Sequence, residues 1–241
     1  MAGNPHGTSV TGTDEGAVHS GRSIKSVYVY EAPVRAWHWI NALAITVLCA
    51  TGYLIGAPPP ALSGHGDEVV LFGYIRFLHF VAAYIFTIGL LVRIYWACVG
   101  NHHARELFTL PLLSAAYWRE VLTMIKWYLF LIPQPNRYVG HNPLARLAMF
   151  FLYFLLSLFL IATGLALYGE ALGVGSWADR LFGWVTVLLG QSQDVRSFHR
   201  LAMWLMIVFV IFHVYAAIRE DIVGRQSIVS TMVSGHRTFK D

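Results

Sequence analysis

"FHRLAMWLMIVFVIFHVYAAI", Phe198 to Ile218, is an apolar run with a histidine near each end. About 20 apolar residues cross the hydrocarbon of a bilayer as a helix, so this run is long enough to span. His199 and His213 are 14 residues apart. At 1.5 Å per residue that is about 21 Å along the axis, and the side chain returns to within about 40° of its starting direction. One helix therefore presents two imidazoles on nearly one face, one toward each membrane surface. Leaving an ionisable side chain in lipid is expensive, so both are expected to face protein.

The rest of the chain has the same character. Of its 241 residues, 56% are hydrophobic and 12% charged, about half the charged share of a soluble domain. Three more stretches are long enough to span: about 35–56, 74–98 and 146–168. The expected fold is all-α, an integral membrane four-helix bundle over residues 27–222. Residues 1–26 are expected to be a disordered tail without a signal sequence, and 223–241 a C-terminal tail. "SAAYWREVLTMIKWYLFLI", Ser114 to Ile132, is also apolar, but Arg119, Glu120, Thr123 and Lys126 recur on one helical face. Such charges oppose insertion, which predicts an amphipathic helix lying in the membrane interface. "LFGWVTVLLG", Leu181 to Gly190, is too short to span and reads as a surface or interfacial helix.

Four spans put both termini on one side. All but four of the 17 Lys and Arg fall in the tails, in the Val99–Arg146 loop or beside it at Arg93. Only Arg76, Arg180, Arg196 and Arg200 fall toward the other side, whose loops carry Asp67, Glu68, Glu170, Asp179 and Asp194. The positive-inside rule makes the termini cytoplasmic. No basic cluster interleaved with aromatics suggests a nucleic-acid partner. Cys49 and Cys98 lie within apolar runs and are not expected to form a disulfide. The chain has no C-x-x-C-H motif for covalent haem attachment.

Two further histidines lie about one turn inside spans. His38, in "EAPVRAWHWINALAITVLCATG" (Glu31–Gly52), matches His213 in depth, and His79 matches His199. One buried histidine is as readily a hydrogen-bonded helix contact as a ligand. Four at two matched depths inside one bundle are what two non-covalent, bis-histidine b-type haems require. Inverting the fourth helix would pair His38 with His199 instead, and only the charge asymmetry opposes that. Two axial histidines leave the iron no open position, which suits single-electron relay. Trp37 and Trp39 are expected to be interfacial anchors. A histidine relay in a transporter or proton channel is the rival from another class. Nothing resembles a flavin or nicotinamide site of a stand-alone reductase.

"RAWHWINALAITVLCATG" (Arg35–Gly52), "RFLHFVAAYIF" around His79 and "RSFHRLAMWLMIVFVIFHVYAAIRED" (Arg196–Asp221) resemble the first, second and fourth helices of the cytochrome b subunit of membrane-bound nickel–iron hydrogenases. The resemblance runs from about Ser26 to the C-terminus. It implies an electron-transfer subunit in the bacterial inner membrane, without a hydrogen-activating site of its own. By it, His79 and His199 hold an outer haem and His38 and His213 an inner one. Its partners would be the hydrogenase small subunit, through it the large subunit, membrane lipid, and a quinone as electron acceptor. Similar di-haem gamma subunits serve membrane formate dehydrogenases, the alternative function.

A quinone needs polar groups near the inner haem. In "NRYVGHNPLARLA" (Asn136–Ala148), Tyr138, His141 and Asn142 are candidates. Asn142 reads equally as a helix N-cap with Pro143 at the first helical position. Arg35, Arg76, Arg196 and Arg200 could pair with haem propionates or simply snorkel. Gly52, Gly89 and Gly164 could admit a porphyrin, though helix packing is the stronger reading. His102 and His103 could help deliver protons, although a surface role suits them better. His6, His19 and His236 lie in the tails, and His65 in an outer loop.

Overall fold

A computed structural model describes residues 25–59, 67–134, 136 and 138–239. Strand β1 (Lys25–Tyr28) leads into α1 (Ala32–Gly56). Then follow α2 (Asp67–Val99), α3 (His102–Arg105) and α4 (Ala115–Tyr128). The next long helix is continuous but changes type: α5 (Pro143–Ala148), a π segment (Met149–Leu155) and α6 (Leu156–Leu172). Short α7 (Trp177–Phe182) and α8 (Trp184–Leu189) precede α9 (Ser192–Ile222), α10 (Ile228–Ser234) and β2 (His236–Phe239).

Four helices are long and apolar enough to cross a membrane: Ala32–Gly56, Val70–Val99, Pro143–Leu172 and Ser192–Ile222. Each runs a few residues past the span read from hydropathy, because helices continue through polar caps. The four-helix membrane fold holds. Its burial is inverted relative to a soluble domain. Large apolar side chains such as Leu43, Leu91 and Phe212 point outward, while Asn41, Thr51, Ser157 and Thr163 are buried between helices. Hydrocarbon satisfies apolar groups as well as a core does, so polar side chains turn inward to find partners. Helix α1 packs along α2, α6 along α9, and α9 also touches α1 and the π segment.

The side bearing both termini is closed by short elements. Strands β1 and β2 pair antiparallel, Ser26 opposite Thr238 and Val27 opposite Arg237. The expected tails thus carry structure in their described parts: Lys25 and Ser26 lie in β1, and α10 and β2 follow residue 222. The rest of the N-terminal tail, with His6 and His19, and the loop bearing His65 lie outside the described residues. Gly235, at φ 85°, ends α10 in the left-handed region, and its carbonyl accepts Val29 N–H at 2.8 Å. A Cβ there would sit 2.8 Å from the Tyr30 carbonyl oxygen, so only glycine fits without a shift.

Local sequence chemistry explains the caps. Asn142 Oδ1 accepts Ala145 N–H at 2.7 Å with Pro143 at the first helical position, as the cap reading expected. Asn101 and Ser114 cap α3 and α4 in the same way. In α4 the buried stripe is Tyr117, Val121, Met124 and Trp127, while Arg119, Glu120 and Lys126 are exposed. The amphipathic helix read from its charged face is therefore present. The Leu181–Gly190 stretch is divided between α7 and α8 at Gly183.

Candidate functional site

The structure brings the intramembrane histidines together in two places. Near the end bearing the termini, His38 of α1 and His213 of α9 face each other, with ring centroids 6.3 Å apart and planes at 50°. Phe209 stacks on His213 at 5.8 Å, and Trp39 meets His38 edge-on at 5.0 Å. Near the other end, His79 of α2 and Met203 of α9, one turn beyond His199, would both lie 3.3 Å from a Cβ on Gly52. The pairs join the depths that sequence spacing had matched, and all four rings are half-buried.

The second pair is held by a repeated device. Thr51 Oγ1 donates to the Val47 carbonyl at 2.6 Å, one turn back, so a lone pair is left to accept from His79 Nδ1 at 2.9 Å. Thr163 Oγ1 donates to the Phe159 carbonyl at 2.8 Å and meets His199 Nδ1 at 2.8 Å. Because each hydroxyl proton is engaged elsewhere, each Nδ1 carries the ring proton. Each Nε2 then keeps a lone pair for a ligand. The next residue in both helices is glycine. A Cβ on Gly52 would lie 3.3 Å from His79 Cε1, and one on Gly164 3.3 Å from His199 Cε1. Both glycines make room for an imidazole ring, while Gly89 lies beside Trp37 in ordinary contact distance.

Sequence reading overlooked Thr51 and Thr163. The signal was the tripeptide Ala-Thr-Gly, which occurs at residues 50–52 and again at 162–164. Trp37 also differs from expectation. Instead of anchoring at the interface it turns inward, 6.0 Å edge-on to Tyr153 and under the Arg93 guanidinium at 5.5 Å. Of the arginines considered for propionates, Arg35 donates to the Val233 carbonyl and Arg200 to the Gly56 carbonyl. Arg196 lies exposed, 3.7 Å from Glu170, and Arg76 is exposed. Both cysteines are free. Among the described residues, no cluster of three or more His, Cys, Asp or Glu could hold a metal ion.

A polar cluster lies on the terminal side of the His38–His213 pair. His141 Nδ1 stands 3.1 Å from the Tyr30 hydroxyl and 3.5 Å from Glu106 Oε2. Its backbone N–H donates to the same carboxylate oxygen at 3.0 Å, and His103 Nδ1 donates to Glu106 Oε1 at 2.6 Å. Burial pushes the Glu106 carboxyl up, but these hydrogen bonds and the charge of His141 outweigh it and hold the group at about 2. Asn142 Nδ2 and the Tyr128 hydroxyl, at 2.6 Å, both donate to buried Glu220. Burial, then the Glu220 charge, push the Tyr128 hydroxyl well above its ordinary range. Of the three quinone candidates, only His141 joins the cluster around Glu106, through both its ring and its backbone N–H. Asn142 is engaged as cap and Glu220 donor, and the Tyr138 hydroxyl meets exposed Asn136 at 3.4 Å.

The family model described as prokaryotic cytochrome b561 matches residues 29–235. The chain is 67% identical over 231 residues to a "Probable Ni/Fe-hydrogenase B-type cytochrome subunit" of Cupriavidus necator, covering 96% of this chain and 95% of that one. A protein of the same description from Azotobacter vinelandii is 58% identical, covering 91% and 92%. The "Probable Ni/Fe-hydrogenase 1 B-type cytochrome subunit" of Escherichia coli K12 is 48% identical, covering 90% and 93%. The chain belongs to the prokaryotic cytochrome b561 family.

Proposed function

We propose that this family member is the cytochrome b subunit of a membrane-bound nickel–iron hydrogenase and passes electrons from it to a membrane quinone. The observation that carries the reading is the pair of imidazole pairs, stacked at two depths in one bundle. His79 and His199 would hold one haem b, and His38 and His213 a second. The residues fit such groups. His38 and His213, facing each other with ring centroids 6.3 Å apart, would hold such a group as two nitrogen ligands. At the other pair, both threonines leave Nε2 as the free donor. Bis-imidazole haem supplies single-electron transfer and has no open coordination position.

The chain's own residues supply the surroundings. Thr51 and Thr163 orient two rings, Phe209 and Trp39 wall a third and fourth, and Gly52 and Gly164 allow close packing. The names of the relatives point to a hydrogenase as electron donor, which favours it over a formate dehydrogenase. The donor's small subunit would dock on the side away from the termini, near His79 and His199. The charge asymmetry supports cytoplasmic termini in the inner membrane, with α4 lying in the interface. The quinone would be reduced beside His38 and His213, with His141 as its polar contact.

A reduced-minus-oxidised spectrum and pyridine haemochrome count on the purified chain test the reading. Two b-type haems per chain are expected. His199→Ala should remove one and His213→Ala the other. A folded preparation without haem would sink it and favour a histidine relay in a transporter.

A further inference from the structure

We propose that His103, Glu106 and His141 form a proton relay from the surface on the terminal side to the quinone reduced beside His38 and His213. The relay rests on the quinone reading above and deepens it. Reduction of a quinone to the quinol takes two electrons, arriving singly from the hydrogenase, and two protons, each ending on a former carbonyl oxygen. Helices in hydrocarbon deliver no water of their own, so those protons need a path of side chains.

The three residues are ordered as such a path requires. The His103 side chain is 21% exposed and lies at the surface end. Glu106, 9% exposed, receives one imidazole at each carboxylate oxygen: His103 at Oε1, 2.6 Å, and His141 at Oε2, 3.5 Å. A carboxylate placed this way can take a proton on one oxygen and release one from the other. His141 is the inner end, beside Tyr30, which packs with Val34 one turn before His38 in α1. The His141 ring meets the Tyr30 hydroxyl at 3.1 Å, which fixes where it points. At the preceding residue a Cβ on Gly140 would overlap the Glu106 carboxylate, so the carboxylate sits directly against this backbone. The charged groups facing the cluster come from four elements: Arg93 of α2, Arg146 of α5, Glu220 of α9 and Arg237 of β2. A carboxylate serving only to cap His141 N–H would not need an imidazole at its other oxygen.

The test uses the whole hydrogenase–cytochrome complex in liposomes, with hydrogen as donor and a short-chain benzoquinone as acceptor. Haem reduction by hydrogen is timed first, and reoxidation by the quinone second. In Glu106→Gln the first should match wild type and the second should slow roughly 100-fold or more, the usual scale for a lost proton-transfer group. His103→Ala should slow the second step too, and added imidazole should restore it, which a merely structural role would not allow. Wild-type reoxidation in Glu106→Gln overturns the relay. If Glu106→Gln loses haem, His103→Ala decides alone, and unslowed reoxidation or absence of imidazole rescue there overturns the relay. If wild-type haems are never reoxidised by the quinone, the quinone reading itself fails and the relay with it.

Discussion

At the scale of single residues, the two threonines are the sharpest finding. A threonine in a membrane helix ordinarily returns its hydroxyl proton to the carbonyl one turn back. Thr163 does so, and that leaves its oxygen able only to accept, which sets the tautomer of His199. Thr163→Val keeps the shape and removes the acceptor. The buried Nδ1–H then lacks a partner, a loss of about 1–3 kcal/mol. Partners of this kind typically change metal affinity by 10- to 100-fold. We expect Thr163→Val to lower the haem content at the proposed His79–His199 position and shift its midpoint potential, with Thr163→Ser close to wild type. Potentiometric titration with a haemochrome count checks this, and an unchanged potential at full occupancy would refute it. The four histidines were legible in the sequence because ionisable side chains inside apolar runs are rare. The threonines were not, because their back-bonded state looks the same with or without an imidazole opposite.

At the scale of elements, α4 shows what a pattern reveals and what it conceals. Its charged stripe was readable as one exposed face. What holds it to the bundle was not, because the partner lies far away in sequence. Arg219 of α9 donates to the carbonyls of Trp127 at 2.7 Å and Tyr128 at 2.9 Å, capping the end of α4. Its guanidinium also lies over the rings of Phe130 at 4.0 Å and Trp127 at 4.5 Å. Phe130 adopts φ 61° to complete this cage, an uncommon conformation for a bulky residue. Charge-assisted bonds to helix-end carbonyls and a desolvated cation–π contact each contribute about 2 kcal/mol. Arg219→Ala should therefore loosen α4, and trypsin should cut at Arg119 and Lys126 several-fold faster, with the spans intact on a gel. Cleavage at the wild-type rate would mean that the apolar stripe alone anchors the helix. The π segment had no sequence signature at all. Its Met149–Leu155 run is apolar throughout, and Tyr153 within it meets Trp37 and Phe209 at ring centroids 6.0 Å away.

At the scale of the whole molecule, the two ends of the bundle are built differently. The end near His79 and His199 is organised by the spans themselves, through Thr51 and Thr163. The end near His38 and His213 is organised largely by what lies outside the spans. Hydropathy located the four helices well but could not foresee this closure, since the pairing of β1 with β2 joins the segment before α1 to the one after α10 through only four residues each. Arg35 and Trp39, flanking His38, donate to carbonyls of α10, the latter at 3.0 Å. Buried Arg237 of β2 donates to the Tyr138 and Gly140 carbonyls, each at 2.7 Å, and so fixes the segment that carries His141. Met232 packs against the cluster of Val29, Tyr30, Val34 and Ala104. Truncation after Val223 removes all of these contacts and none that touch Thr51, Thr163, His79 or His199. On the two-haem proposal, the shortened chain should keep four spans and the haem at His79 and His199 but lose or weaken the one at His38 and His213, so the haemochrome count should fall from two toward one. Arg237→Ala in the full chain should leave both haems and slow only reoxidation by quinone, because it releases the His141 segment without uncovering His38. If truncation removed both haems together, the two sites would form one cooperative unit, and the division of the bundle into a span-built end and a terminus-built end would fail.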